Sequence, residues 1–417
     1  LVKDGQGKGP RWLDGLFISP KGAGPDFTPN GDNWRRRAKA PVLVLNATTL
    51  NTGHNWQFTA SWMGEPPPGG DDTDGNERLR RMWYREAPTP YRHMRLGHAV
   101  AASACVPALF QPLALDGLYP EREIRLVDGG VHDNQGIASL LEQDCAVIIV
   151  SDASGQMTDR RGAGRGPLST PFRSNSILMA RVREAQIAGL WSRLRSGLLR
   201  DLAVVHLRKG LPAASIDWVD CQEPKDPFED LARNGGNDAL TSYGIRRDLQ
   251  GLLANVRTDL DSFCDAEAYA LMLSGYRQLD EALRNGIGGL QCADAPRHKW
   301  RFQVLDHALS TQSPEDPEPR RIQRILSVAG SRAFKVWQLR PVLATSFFGA
   351  LVVLAVLLWK AGHWQALWAA LPGNLAARWF MVVVALLLVL SGVAWLHGRF
   401  FDRLYLRFGR VKPAPGS

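Results

Sequence analysis

Two neighbouring stretches decide the fold: His98–Pro112 (HAVAASACVPALFQP) and Ile124–Asn134 (IRLVDGGVHDN). The first is rich in small residues and predicts a helix that leaves through a Pro-x-x-Phe-x-Pro exit. The second predicts a strand that ends in the turn Asp128-Gly129-Gly130. In an open parallel sheet, reactive side chains gather at the carboxyl ends of strands. A carboxylate held at such an end could accept the proton of a serine hydroxyl.

The apolar pattern of residues 40–285 alternates between short strands and helices. Strands are predicted at 41–46, 57–62, 124–127, 146–150 and 202–207. Helices are predicted at 91–108, 173–200 and 265–284. Short apolar strands separated by helical segments are typical of an α/β domain with a mainly parallel sheet.

The composition indicates a globular chain without a metal or cofactor motif. Of the 417 residues, 45% are hydrophobic, so a sizeable core can form. Five widely spaced cysteines without a Cys-x-x-Cys pair favour reduced thiols and offer no zinc site. Phosphate-loop and EF-hand patterns do not occur in the sequence. We predict that the protein uses no cofactor and no metal.

Two uncharged apolar segments near the C-terminus predict a membrane module. Residues 342–359 and 379–396 each have about the length that crosses a ~30 Å hydrocarbon core as a helix. Basic residues flank both outer ends, and such charges retain segment ends in the cytoplasm. We therefore assign the net charge of +9 to membrane flanks and expect no nucleic-acid partner. The prediction is a two-helix transmembrane hairpin with the globular domain in the cytoplasm.

The signature upstream of Asp128 resembles that of patatin-like phospholipases. That family carries Ala-Ser-x-x-x-Pro-x-x-Phe-x-Pro before a catalytic Asp-Gly-Gly turn. The chain matches this signature at Ala102, Ser103, Pro107, Phe110 and Pro112. The resemblance covers roughly residues 40–285, which match the distal part of the family's domain. The members that the chain resembles are bacterial and membrane-anchored.

The resemblance implies an activity and a role for four residues. By it, Asp128 is the base of a Ser–Asp dyad, and Gly129 and Gly130 shape its turn. Asn134 is expected to buttress this turn, or to cap the next helix together with Asp133. The implied protein is a lipid acyl hydrolase of the serine esterase type, acting on phospholipids or other lipid esters at the bacterial inner membrane.

The chain departs from the family at the nucleophile. The family's serine lies in a Gly-x-Ser-x-Gly elbow, and no such motif occurs in the 417 residues. The glycines at 4–9 do not match the family's oxyanion loop, because no apolar strand precedes them and no serine elbow follows. We expect the nucleophile and the N-terminal part of the domain to lie outside this chain, which alone is then inactive. A catalytically inactive patatin-like membrane scaffold is the alternative.

Other polar residues allow a third interpretation besides the Ser–Asp hydrolase and the inactive scaffold. A Ser-His-Asp hydrolase would use His132 or His206 as its base, although structural roles are favoured for both. Ser103 is interpreted as a helical hydroxyl that bonds a backbone carbonyl, and Ser151 and Ser154 as turn-capping residues. The arginine runs at 35–37 and 78–81 are interpreted as solvated faces, with lipid phosphate as the alternative partner.

Four parts are predicted along the chain. Residues 1–310 would form the distal part of the acyl hydrolase domain, which is incomplete at its N-terminus. Residues 311–340 would be an acidic, then basic, linker, 341–398 the transmembrane hairpin and 399–417 a basic cytoplasmic tail.

Overall fold

A computed structural model describes most of the chain. The described residues are 10–24, 26–68, 74–154, 157, 162, 166–167, 169–211, 216, 218–222, 239–257, 262–287, 300–311, 316–331, 335–360, 373 and 402–411. By its internal contacts the chain divides into two compact units. The first unit contains Leu1–Ser151 and Met157–Val204, and the second contains Asp152–Gln156 and Val205–Ser417.

The first unit is built around a six-stranded sheet in the order β4-β3-β2-β1-β6-β5. Its strands are β1 (Leu45–Thr49), β2 (Asn55–Phe58), β3 (Trp62–Gly64), β4 (Met82–Trp83), β5 (Leu113–Tyr119) and β6 (Arg122–Asp128). Its helices are α1 (Pro29–Asp32), α2 (Leu96–Ser103), α3 (Gly130–Asp133), α4 (Ile137–Glu142) and α5 (Ser169–Arg195). Single 3-10 turns lie at Asp14–Leu16, Asn33–Arg35 and Thr89–Tyr91.

The prediction of a mainly parallel sheet is wrong. All five strand pairs of the six-stranded sheet are antiparallel. For three of the pairs the reason is the length of the connections: residues 50–54 join β1 to β2, 59–61 join β2 to β3, and 120–121 join β5 to β6. Parallel neighbours need a crossover of a dozen or more residues, whereas antiparallel neighbours need only a hairpin. The fold of this unit is therefore a mixture of helices and an antiparallel sheet.

The residues of β6 and α2 explain how the end of β6 is placed. Along β6, Ile124 and Leu126 are buried while the alternating residue Arg125 is exposed, as expected for a strand with one face on the core. Helix α2 contacts β1 and β6 and buries the small side chains of Ala99 and Ala102. The helix is shorter than predicted, because the position before a proline disfavours helical backbone and Pro107 follows closely.

A smaller layer contains β7 (Val147–Asp152), β8 (Asp201–His206) and α5. Most of its residues belong to the first unit, whereas Asp152, Val205 and His206 at the strand ends belong to the second. Strands β7 and β8 pair with each other in a two-stranded sheet. They share one apolar cluster with α4 and α5, formed by Ile137, Ile148, Val150, Leu190, Leu199 and Leu202. The predicted strands at 146–150 and 202–207 and the predicted helix at 173–200 are confirmed, with small shifts of their ends.

The second unit is helical in its described part. Its helices are α6 (Arg247–Ala254), α7 (Asp265–Arg284), α8 (Asp306–Ser310), α9 (Pro317–Ser327), α10 (Lys335–Leu339), α11 (Pro341–Lys360) and α12 (Asp402–Phe408). The prediction for α7 is confirmed to the residue. This helix begins where Glu267 accepts the N–H of Cys264 at 2.8 Å, and it is followed by Gly286 in the left-handed region (φ +88°).

The predicted transmembrane hairpin, and the membrane localisation that depended on it, must be corrected. Among the helices in the described part of the chain, none has the combination of length and apolar composition needed to cross a bilayer. Helix α11 covers the first predicted segment, whereas residues 379–396, the second segment, lie outside the described residues. A hairpin requires two spanning helices, and no described pair supplies them.

Candidate functional site

Asp128 lies at the C-terminal end of β6, and its backbone is held from two sides. Its N–H donates to the carbonyl of Cys105 at 2.9 Å, which ties it to the segment after α2. Its carbonyl accepts the hydroxyl of Thr48 at 2.9 Å, and the residue pairs with Ala47 of β1. The sheet and the exit from α2 therefore fix where this carboxylate stands.

The two glycines after Asp128 are required by close approaches. A Cβ on Gly129 would lie 2.4 Å from the carbonyl oxygen of Asn46, and one on Gly130 would lie 2.6 Å from Oδ1 of Asn134. Real Cβ atoms do not approach other atoms so closely, so a side chain at Gly129 would push against the backbone of β1, whereas one at Gly130 would displace the side chain of Asn134. The predicted turn residues Gly129, Gly130 and Asn134 thus lie together around Asp128.

The carboxylate of Asp128 is half-buried and keeps one oxygen available. Oδ1 accepts the backbone N–H of Gly130 at 2.7 Å. Oδ2 receives no hydrogen bond from any residue that the structure describes. An ionised carboxylate is an acceptor only, so Oδ2 can take a hydrogen bond from an incoming hydroxyl.

The predicted serines do not supply that hydroxyl. Ser103 is near through its carbonyl, which accepts the N–H of Gly129 at 3.4 Å, but its hydroxyl bonds to no described residue. Ser151 is an exposed residue of β7. Ser154 donates its backbone N–H to Asp152 at 3.0 Å, as expected of a turn residue. Within the described residues, no serine hydroxyl is bonded to Asp128.

The two histidines considered as alternative bases are not paired with Asp128 either. His132 lies in α3, and its Nδ1 is buried without a hydrogen-bond partner among the described atoms. Burial lowers the pKa of His132, although the charge of nearby Asp133 opposes this shift. His206 belongs to the second unit, where its backbone N–H donates to Gln278 at 3.1 Å. Among the described residues, no histidine is hydrogen-bonded to the carboxylate of Asp128, as a Ser-His-Asp triad would require.

The segment after the turn is braced by a polar network that the sequence did not reveal. Asn46 accepts the hydroxyl of Ser139 at 2.7 Å, and Gln57 donates to the same hydroxyl at 3.0 Å and to Glu142 at 2.8 Å. Arg81 pairs with Glu142 and donates to Gln57 at 3.0 Å. This network joins β1 and β2 to α4, and Asn46 is the residue against which Gly129 packs.

A second polar cluster, also missed in the sequence, surrounds Glu65. This carboxylate is 1% exposed and accepts the hydroxyls of Thr49, at 2.8 Å, and of Thr52. His54 lies between two carboxylates, with Nδ1 3.2 Å from Glu65 and Nε2 2.5 Å from Asp74. The N–H of Asn76 and the His54 contact lower the pKa of Asp74. No motif spacing in the sequence indicates this cluster, because its residues meet only when the β1–β2 hairpin and the segment after β3 pack together.

The cluster fastens the segment around Asp74 to the hairpin. Both ring nitrogens of His54 are already in contact with carboxylates, so the ring has no position left for a hydroxyl nucleophile. We therefore assign it a structural role. Among the described residues, no three His, Cys, Asp or Glu side chains are grouped so that they could hold a metal ion.

Comparisons with protein-family models, with curated proteins and with solved structures found no match to this chain.

Proposed function

We propose that this chain supplies the general base of a serine-type acyl hydrolase acting on lipid esters. The observation that carries the proposal is the state of Asp128. Its backbone is fixed at a strand end, its Oδ1 is occupied by the Gly130 N–H, and its Oδ2 is available for a proton donor. The resemblance of the flanking residues to patatin-like phospholipases supports the same role.

In the proposed reaction, a serine hydroxyl donates to Oδ2 of Asp128. The carboxylate takes the proton as the serine oxygen attacks the ester carbonyl, and the alcohol then leaves with that proton. Water hydrolyses the acyl-enzyme in the second half, again with Asp128 as the base. No described serine hydroxyl is bonded to the Asp128 carboxylate, and the 417 residues contain no Gly-x-Ser-x-Gly elbow, so the proposal takes the nucleophile from a segment other than these residues. A phospholipid or another lipid ester is the proposed substrate.

Substituting Asp128 in the full-length protein tests the proposal. Asp128→Asn keeps the shape of the side chain and its bond from Gly130 but removes the base. We expect hydrolysis of phospholipid and of a p-nitrophenyl acyl ester to fall by about 10²–10⁴-fold, the usual contribution of general-base catalysis. The matched control is Asp116→Asn, which changes an exposed aspartate of the neighbouring strand β5 and should leave the rate unchanged.

A fluorophosphonate probe distinguishes this proposal from a second candidate. No described hydroxyl is bonded to the carboxylate of Asp128, an observation that also fits a non-catalytic patatin-like scaffold. Labelling of a serine in the full-length protein that weakens with Asp128→Asn would support the hydrolase. A folded full-length protein that is neither labelled nor active would favour the scaffold, and activity that survives Asp128→Asn would overturn the proposed base.

A further inference from the structure

A short basic loop protrudes from the first unit between α1 and β1. We define it as Trp34–Lys39 (WRRRAK). Its ends are held together by Asn33, whose side chain donates to the carbonyl of Ala40 at 2.8 Å and accepts the N–H of Ala40 at 2.8 Å. The two ends of the loop are therefore joined by hydrogen bonds between Asn33 and Ala40.

The basic loop carries four positive charges that no described carboxylate neutralises. Arg35, Arg37 and Lys39 are exposed, and Arg36 is partly exposed. The four cations form no ion pair with any residue that the structure describes. The guanidinium of Arg35 lies 4.6 Å from the ring of Trp34. Arg36 donates to the Ala38 carbonyl at 3.2 Å and Lys39 to the Asn33 carbonyl at 2.5 Å, so these two cations are bonded to neutral groups within the loop region. The positive charge of the loop is therefore not balanced by any described carboxylate.

Apolar side chains lie beside these charges. Trp34 is 70% exposed, the largest exposure of any described tryptophan. A shallow open concavity of about 30 Å³ is lined in part by Phe17, Ile18, Val42 and Leu43, each more than one third exposed. Pro29 and Pro41, which precede and follow the loop, also line this concavity. Arg36 of the loop lies over the ring of Phe27, which in turn contacts Phe17 of the lining.

Residues 41–44 were predicted to form a buried strand, and the structure leaves them outside the sheet. Strand β1 begins only at Leu45, and Val42 and Leu43 are 36% and 47% exposed. Exposing large apolar side chains to water costs free energy unless a partner covers them. Their position next to the basic loop indicates a partner that is both anionic and apolar.

We propose that the basic loop and the adjacent concavity form a docking face for an anionic phospholipid surface. Arginine and lysine would bind the phosphate groups, Trp34 would lie at the headgroup level, and Val42 and Leu43 would reach the acyl chains. A nucleic acid would satisfy the cations but not the aliphatic side chains. Docking requires neither Asp128 nor a nucleophile, so vesicle binding can be tested independently of the proposed hydrolysis.

Vesicle flotation with the intact protein tests the docking face. The probes are vesicles of phosphatidylcholine alone and of phosphatidylcholine with an equal amount of phosphatidylglycerol. We expect binding to the anionic vesicles only, weakening as salt is raised. Arg35→Gln/Arg37→Gln should reduce the affinity by about 30-fold, since each cation near an anionic surface contributes about a fivefold factor to binding. Trp34→Ala should reduce it several-fold.

Matched controls separate the face from general charge and from exposed tryptophans. Arg193→Gln/Arg200→Gln removes the same charge from exposed positions elsewhere in the first unit, and Trp218→Ala removes a tryptophan that is 63% exposed. Both controls should bind as the unmodified protein does. Equal losses in control and loop variants would overturn the proposal, as would equal binding to the two vesicle types. A loop variant that loses binding to single-stranded RNA but keeps vesicle binding would assign the face to nucleic acid instead.

Discussion

Gly129 shows how one residue type controls the position of the candidate base. It has no side chain to meet Asn46, and its N–H donates to the carbonyl of Ser103. The turn can therefore press against β1 while Asp128 stays in register with Ala47. The glycine is needed for space rather than for a left-handed backbone, since Gly129 has a φ of −61°.

Gly129→Ala is expected to destabilise the protein and to disturb the turn. The new Cβ would lie 2.4 Å from a backbone oxygen, which cannot rotate away as a side chain would. Overpacking of this kind typically costs about 1–3 kcal/mol, measurable as a loss in the free energy of unfolding. Gly97→Ala is the control: Gly97 lies within α2 with open space around its Cα, and alanine favours a helix. A Gly129 variant as stable as the Gly97 variant would contradict the steric argument.

His132 is expected to make the free energy of unfolding decrease as the pH falls. Burial lowers its pKa in the folded protein below the ordinary value of 6.5. As the pH falls below that value, the unfolded chain takes up a proton that the folded protein does not, so stability is lost on acidification. His132→Asn removes this proton uptake, and its unfolding free energy should fall less between pH 7 and pH 5. A curve parallel to that of the unmodified protein would show that His132 does not contribute.

At the scale of elements, ion pairs and connections decide which segments stay together. In the second unit, Glu267 at the start of α7 is fully buried and pairs with Arg257 at 2.6 Å. It also accepts the hydroxyl of Tyr405 at 2.8 Å, which joins α12 to α7 across a long sequence separation. Burial of the Cys264 thiol, and then the negative charge of Glu267, raise the pKa of Cys264 to about 11, so this thiol stays protonated at neutral pH.

Glu267→Gln is expected to be strongly destabilising. It leaves Arg257 as a buried cation without its carboxylate, a change that typically costs about 3–5 kcal/mol. Glu184→Gln is the control, because Glu184 and Arg181 form an exposed pair within α5, and such pairs contribute about 0.5 kcal/mol or less. Urea denaturation of both variants measures the difference. Similar small losses would mean that the buried pair is replaceable.

At the scale of the whole molecule, each of the two units has its own apolar core. In the first, the buried aromatic residues Trp56 and Phe58 of β2 anchor the sheet, 6.1 Å apart and edge to face. In the second, α6, α7 and α9 meet around the buried side chains of Leu249, Leu273 and Ile325. A sequence of 45% hydrophobic residues is consistent with both cores, but it does not say how they are divided along the chain.

Local patterns in the sequence determined the elements whose signals are local. Helix α7 was predicted to the residue, because its amphipathic period and the stop at Asn285-Gly286 are written within 22 consecutive residues. The strand before Asp128 and the turn of Gly129 and Gly130 were found for the same reason. Within such short stretches, backbone preferences and the alternation of apolar and polar residues decide the local structure, and both can be read directly from the sequence.

Strand pairing and long-range polar contacts were decided only by the tertiary structure. Of the six-stranded sheet, β1, β2 and β6 were predicted with shifted bounds, whereas β3, β4 and β5 were not predicted as separate strands. The short connections β1–β2, β2–β3 and β5–β6 make those pairs antiparallel, and β1 and β6 pair antiparallel across a long sequence separation, so the architecture differs from the predicted parallel sheet. The Glu65 cluster and the brace around Asn46 join residues up to 93 positions apart, and no spacing rule links them. Pairing and burial depend on which segments meet, and that is a property of the folded chain rather than of any one stretch of it.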